Sequence, residues 1–274
     1  MSRNTPLGLA SLVFTCLTCL NGQAGAQTAP APSTPATEEK PYEPKSGQQG
    51  KDVIWLPTPQ VAVDKMMEVA RVGPKDFVID LGSGDGRTVI TAAKLGARAL
   101  GIEYNPDMVE YAKRNAEKAG VAGRASFVKA DLFETSFAKA SVVTMFLLTD
   151  INLKLRPKIL ALKPGTRIVS NTFSMGEWEP DQKVEMAGQP GCDGSYCTVL
   201  YWVVPRQVAG TYSVAQGQVT LKQEFQMLTG TLKSGNATVE LRGRMHGEEI
   251  ELTAGNKRYR GKLNGKALEL REAA

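Results

Sequence analysis

The sequence predicts a doubly wound α/β domain followed by a small antiparallel β domain. Three observations predict it. Apolar strand-like runs alternate with helix-period segments from residue 58 to residue 172. The run Phe77–Leu81 passes straight into a glycine-rich turn, Gly82-Ser83-Gly84-Asp85-Gly86, that opens a helix. After Pro205 the apolar period falls to two, with glycines at 217, 230, 235, 247, 255 and 265.

In order along the chain, Thr58 and Pro59 read as N-cap and first position of a helix, with Val61, Met66, Val69 and Ala70 at helical spacing until Gly73-Pro74 ends it. The strand Phe77–Leu81 and the glycine turn lead to a second helix in which Val89, Ile90, Ala93 and Leu95 face the sheet. A strand over 97–103 follows. Asn105-Pro106-Asp107 caps and starts a third helix that ends at Gly120. Strands are expected over 126–131 and 141–146, a helix containing Pro157 over 152–162, and a strand over 167–172 after Lys163-Pro164-Gly165. Residues 183–185 and 199–204 supply an antiparallel hairpin at the sheet edge. In the tail, Val219, Leu221, Phe225 and Met227 alternate with polar residues, and Asn264-Gly265 is a hairpin signal, so a meander or small barrel is expected over 207–274.

Residues 1–26 have the form of an export signal: Arg3, an apolar core from residue 7 to residue 20, and the small-residue site Ala24-Gly25-Ala26. That core is shorter than the roughly 20 residues that span a bilayer. A periplasmic or secreted location is expected, or a membrane anchor if the signal is not cleaved. Residues 27–50, rich in Pro, Ala, Thr, Gln and Glu, read as a flexible tether, which leaves 51–206 for the α/β domain. The net charge of +5 is dispersed, with none of the basic, aromatic-interleaved segments of a nucleic-acid surface. Cys192 and Cys197 lie in a turn-rich loop where a disulfide can close in an oxidising compartment. A metal site has no ligand set, because the single histidine, His246, stands alone in a strand pattern.

In such sheets ligands bind beyond the carboxyl ends of the strands, where Asp80, Glu103 and Asp131 fall. A dinucleotide fingerprint beginning at Gly82 needs glycine at 87, and Arg87 stands there. The acid followed by Leu-Gly-Ser-Gly-Asp-Gly resembles instead the first motif of the class I S-adenosylmethionine-dependent methyltransferases, whose fold is a Rossmann-like, seven-stranded methyltransferase sheet. The resemblance implies S-adenosyl-L-methionine as cofactor. Glu103 would then accept both ribose hydroxyls, with Tyr104 at the same strand end. Asp131 would accept from the adenine amino group, with Leu132 and Phe133 flanking the base. Asp80, Gly82, Ser83 and Gly84 would hold the amino-acid end.

Trp55-Leu56-Pro57-Thr58-Pro59 and Asn152-Leu153-Lys154-Leu155-Arg156-Pro157 are similar to one branch of that class, the bacterial methyltransferase-domain proteins related to mitochondrial lysine methyltransferases. That likeness covers about residues 51–180 and implies that Trp55 to Thr58 pack over the methionine end. It also implies that the loop Phe146-Leu147-Leu148-Thr149-Asp150 lines the acceptor channel. Asp150, Asn171 and Trp55 are the candidates for positioning the reaction, with Asp150 equally readable as a helix N-terminal carboxylate. The acceptor loop lacks the Asp- or Asn-Pro-Pro-aromatic sequence of enzymes that methylate base amines, so nucleic acid is not expected. The expected activity is methyl transfer to a protein lysine. The alternatives are a small-molecule or lipid methyltransferase, or an exported, non-catalytic binding protein on the same fold. The last stands because export separates an enzyme from a cofactor made in the cytosol.

Overall fold

The computed structural model describes residues 42–273 apart from 193 and 195. The predicted export signal and the tether up to residue 41 lie outside the described residues. Residues 42–50, read as the end of that tether, are anchored to the domain at several points, although Glu43, Lys45, Ser46, Gly47 and Gln49 are exposed. The Tyr42 ring meets Tyr111 edge-on with centroids 6.4 Å apart, its carbonyl accepts from Arg114 at 2.9 Å, and Gln49 bridges to Ile54. Composition misread them because their anchors are two aromatic rings and backbone pairs rather than a periodic apolar face. No described helix is long and apolar enough to cross a membrane.

The first sheet comprises β1 (Phe77–Leu81), β2 (Arg98–Glu103), β3 (Ala125–Lys129), β4 (Val142–Met145), β5 (Arg167–Asn171), β6 (Gln182–Glu185) and β7 (Thr198–Val203). Their order is β3-β2-β1-β4-β5-β7-β6, the first five parallel and the β6–β7 hairpin antiparallel. Successive side chains of each strand point to opposite faces. Val78, Val142 and Val169 therefore meet α1 (Gln60–Val69), α2 (Arg87–Lys94) and α3 (Pro106–Lys118) on one face. Ile79, Val143 and Ile168 meet α4 (Thr149–Leu160) on the other. A strand covered on both faces needs an unbroken apolar run, which is why β1 and β4 read so clearly.

Several local expectations are met and several shift. At α3 the Asn105 side chain accepts from the Asp107 N–H at 2.9 Å and Pro106 occupies the first turn, while Gly120 turns left-handed just beyond the helix. At α1 the N-cap is Pro59, one residue later than expected, because the Thr58 carbonyl faces Arg87. Leu95, expected to face the sheet, is exposed, since α2 ends at Lys94 and turns away. The helix α4 starts at Thr149, three residues before the expected 152, so the acceptor loop is shorter than the sequence suggests.

The second sheet, β8 (Gly210–Val214), β9 (Gly217–Glu224), β10 (Met227–Ser234), β11 (Ala237–His246), β12 (Glu249–Ala254), β13 (Lys257–Asn264) and β14 (Ala267–Ala273), is an antiparallel meander whose first and last strands approach each other. Leu221, Leu241, Leu252, Tyr259 and Leu268 fill its interior. The last turn centres on Gly265-Lys266 rather than on Asn264-Gly265, because pairing Leu263 with Leu268 keeps both leucines inside. The meander is keyed to the first sheet by the β9–β10 turn. Phe225 stacks on buried Trp178 with centroids 6.1 Å apart, under the Arg156 guanidinium. Beside it the Gln226 amide donates to the Glu179 carbonyl at 2.8 Å, and Arg244 pairs with Asp181. Phe225→Ala is expected to cost about 0.5–1.5 kcal/mol for the aromatic pair, on top of the lost burial, read as a lowered midpoint in urea with an unchanged slope.

Candidate functional site

Because β1 has β2 on one side and β4 on the other, the connections leaving these strands diverge and open a crevice beyond their carboxyl ends. The crevice is lined by the glycine turn after β1, Glu103 and Tyr104 after β2, Asp131 and Leu132 after β3, and Phe146 and Leu147 after β4. Residues 48–58 cross its open side.

Gly84 has φ +52°, and a Cβ there would lie 2.3 Å from the Trp55 ring nitrogen, so the indole rests directly on the glycine backbone. The Gly84 N–H donates to one oxygen of Glu103 at 3.0 Å, and the Asn105 N–H donates to the other at 2.9 Å. Each carboxylate oxygen can accept twice, so both keep a lone pair for a ligand diol. The turn is seated by Gly101 in β2, where a Cβ would come within 2.4 Å of the Ser83 hydroxyl oxygen and 2.6 Å of the Phe127 ring. That hydroxyl is buried and has no hydrogen-bond partner among the described residues, and Ser83 lines the crevice.

Asp80 is buried under the turn, where the Thr144 hydroxyl donates to it at 2.6 Å. Burial pushes its carboxyl up to about 7, a rise opposed by the Thr144 hydrogen bond and reinforced by the negative charges of Asp85 and Glu103. A cationic ligand group in the crevice would hold Asp80 ionised. Arg87 takes Asp85 through two nitrogens and also donates to the Thr58 carbonyl at 2.8 Å, tying the crossing segment to the glycine turn.

At the far end Asp131 accepts from the Phe133 N–H at 2.8 Å and pairs with Lys51. The Lys51 hydrogen bond holds the Asp131 carboxyl below the usual carboxylate range. The Lys51 ammonium lies 5.0 Å from the Tyr104 ring centroid and 5.8 Å from that of Phe133. Lys158 of α4 holds this loop from behind, donating to the Phe133 and Thr135 carbonyls at 2.9 and 2.6 Å. Lys51, Lys158 and Thr144 carry no motif, and no spacing in the sequence pairs them with acids and carbonyls dozens of residues away.

Of the residues singled out from sequence, Trp55, Thr58, Asp80, Gly82, Ser83, Glu103, Tyr104, Asp131 and Leu132 line one crevice, with Gly84 beneath the Trp55 ring. Asp150 and Asn171 do not. Asp150 is exposed in the first turn of α4, where the helix dipole favours a carboxylate. Asn171 is fully buried at the end of β5, and its amide donates to the Tyr196 carbonyl at 3.0 Å.

The acceptors on Glu103, the unpartnered Ser83 hydroxyl, buried Asp80 and the flat Tyr104 and Leu132 flank fit a nucleoside that carries an amino-acid chain. Comparison with known proteins agrees. Residues 80–182 match the model of the ANTKMT methyltransferase domain. The chain is 47% identical over 137 residues to a protein-lysine N-methyltransferase of Saccharolobus islandicus, covering 49% of this chain and 85% of that protein. The chain belongs to this methyltransferase family. It is also 36% identical over 120 residues to the adenine nucleotide translocase lysine N-methyltransferase of Mus musculus, covering 43% of this chain and 52% of that one, so the match spans about half the length of that relative. Among solved structures it is similar to an RNA methyltransferase of Salinibacter ruber in complex with S-adenosyl-L-homocysteine. That likeness is at 46% identity and a TM-score of 0.52, covering 56% of this chain and 96% of that one. The family's cofactor is S-adenosylmethionine, and the crevice has the groups to hold it.

Proposed function

We propose that the protein methylates a lysine amine of a protein substrate, using S-adenosylmethionine held across the ends of β1, β2 and β3. The single observation that carries this reading is the likeness to a protein-lysine N-methyltransferase over most of that relative's length. In this reading Glu103 takes the ribose, Asp131 and Leu132 the adenine, and Asp80, Gly82, Ser83 and Gly84 the amino-acid end. When bound, the cofactor supplies a methyl group activated by its sulfonium sulfur. The protein's part is placement: holding two reactants in line supplies much of the acceleration of such a transfer.

A lysine must arrive neutral to be nucleophilic. Met145, Phe146 and Leu147 form the crevice edge beside the glycine turn, with Leu147 close enough to Gly82 that a Cβ there would meet it at 3.1 Å. An amine drawn against this apolar edge loses water, which favours its uncharged form. Export is a separate proposal about the chain. The leader-like residues 1–26 and the buried Cys192–Cys197 disulfide both suit an oxidising compartment.

Tritiated methyl transfer into a cell extract, divided between protease and ribonuclease treatments, tests the acceptor. Label that resists ribonuclease and is released by protease is expected. Label in RNA, or in the solvent-soluble fraction, would overturn the reading.

A further inference from the structure

Three aromatic rings from three separate elements meet beside the crevice. Phe146, after β4, lines the crevice on one side. Its ring also stacks on Phe173 with centroids 5.8 Å apart and meets Tyr196 edge-on at 5.7 Å. Phe173 and Tyr196 close the triangle at 5.9 Å. Burial falls along the series: Phe146 and Phe173 are half-buried, and Tyr196 is exposed. The rings thus form a continuous apolar wall from the crevice to the surface, although Phe173 and Tyr196 do not line the crevice itself.

The backbone carrying each outer ring is held by a buried amide. Asn152 of α4, fully buried, donates to the carbonyls of Phe173 and Ser174 at 3.1 and 3.2 Å. Asn171 donates to the Tyr196 carbonyl. Tyr196 is also the residue before Cys197, whose disulfide to Cys192 closes the loop, with both sulfurs packed in the core beside Met186 and Val199. Burying two amides and a disulfide to fix two partly exposed rings is wasted on a solvent-facing surface and useful for a binding wall.

We infer that Phe146, Phe173 and Tyr196 form the wall along which the acceptor lysine enters, and that Asn171 and the Cys192–Cys197 disulfide act as positioning groups for Tyr196. This inference rests on the protein-lysine reading above. Aromatic faces pack the lysine stem and attract an alkylammonium, more so once methyl groups have weakened its hydration. Tyr196 lies beyond the 80–182 segment that matches the family model.

The test uses the full chain, with initial rates of methyl incorporation into extract protein measured against extract concentration, and S-adenosyl-L-homocysteine affinity measured by calorimetry. Tyr196→Ala is expected to raise the half-saturating extract concentration about fivefold, the size of one partly exposed cation–aromatic contact. The maximal rate and the cofactor affinity should stay near wild type, and Tyr196→Phe should restore the wild-type curve. The Cys192→Ser, Cys197→Ser double variant is expected to reproduce the Tyr196→Ala curve. If that variant does not fold, Tyr196→Ala and Phe173→Ala decide the matter alone. Protein labelling with unchanged half-saturation in both alanine variants would overturn the wall while leaving the lysine reading intact. No protein labelling by the wild type would overturn the lysine reading, and the wall with it.

Discussion

Replacing Glu103 by alanine is expected to weaken S-adenosyl-L-homocysteine binding by about 1.5–3 kcal/mol, the range for hydrogen bonds to a charged group. In affinity this is a loss of roughly ten- to more than a hundredfold. The effect has two sources. The carboxylate offers its free lone pairs to the ribose hydroxyls, and it also accepts the Gly84 and Asn105 N–H groups, so it shapes the turn that meets the ligand. Glu103→Gln separates them. The amide retains one acceptor oxygen but must present an NH2 group to one of the two N–H donors, so it should fall between wild type and alanine. Calorimetric titration of the three proteins checks the order, and equal affinities would place the ribose elsewhere.

Asp80→Asn should move stability and binding in opposite directions. Buried Asp80 has a folded pKa of about 7, above the ordinary aspartate value of 3.8. A carboxyl raised in the folded state contributes stability that is complete below its unfolded pKa and is lost as pH rises through the folded value. Above pH 7 the ligand-free protein therefore carries a buried carboxylate that asparagine, still able to accept the Thr144 hydrogen bond, would remove. At pH 8 the variant is expected to be more stable by on the order of 2 kcal/mol, a Tm increase of roughly 4–8 °C, with the gain disappearing toward pH 4. Its cofactor affinity at pH 8 should be at least tenfold lower, because the charge facing the amino-acid end is gone. Thermal melts across this pH interval, with and without S-adenosyl-L-homocysteine, read both effects. A variant no more stable than wild type at pH 8 would show that Asp80 is not strained by burial.

The crevice is legible in the sequence because its chemistry is concentrated at strand ends. An acid stands at or just past the end of each of the first three strands, at 80, 103 and 131, the first of them directly before the glycine turn, and the alternating pattern puts them on one edge. What sequence could not show depends on long-range pairing. Lys51 meets Asp131, Thr144 meets Asp80 and Asn171 meets Tyr196 through the strand order and the segments that fold back across the strand ends, not through spacing. Asp150 draws notice as a charge in the acceptor loop, but the early start of α4 makes it a first-turn residue. The meander is visible in its period of two, whereas its attachment is not, since a turn phenylalanine at 225 carries no sign of Trp178 beneath it.

The binding losses at Glu103 and Asp80, and the acceptor wall beside them, require a nucleoside with an amino-acid chain lying across the ends of β1, β2 and β3. A crystal structure of the full chain soaked with S-adenosyl-L-homocysteine would reveal that ligand or its absence. The expected result has ribose hydroxyls on Glu103, the base beside Leu132 with Asp131 turned from Lys51 to its amino group, and the amino-acid end over Gly82 to Gly84 with the Trp55 ring displaced from the glycine backbone. A crevice in which Lys51 still pairs with Asp131 and Trp55 still rests on Gly84, with the ligand bound elsewhere or absent, would contradict it.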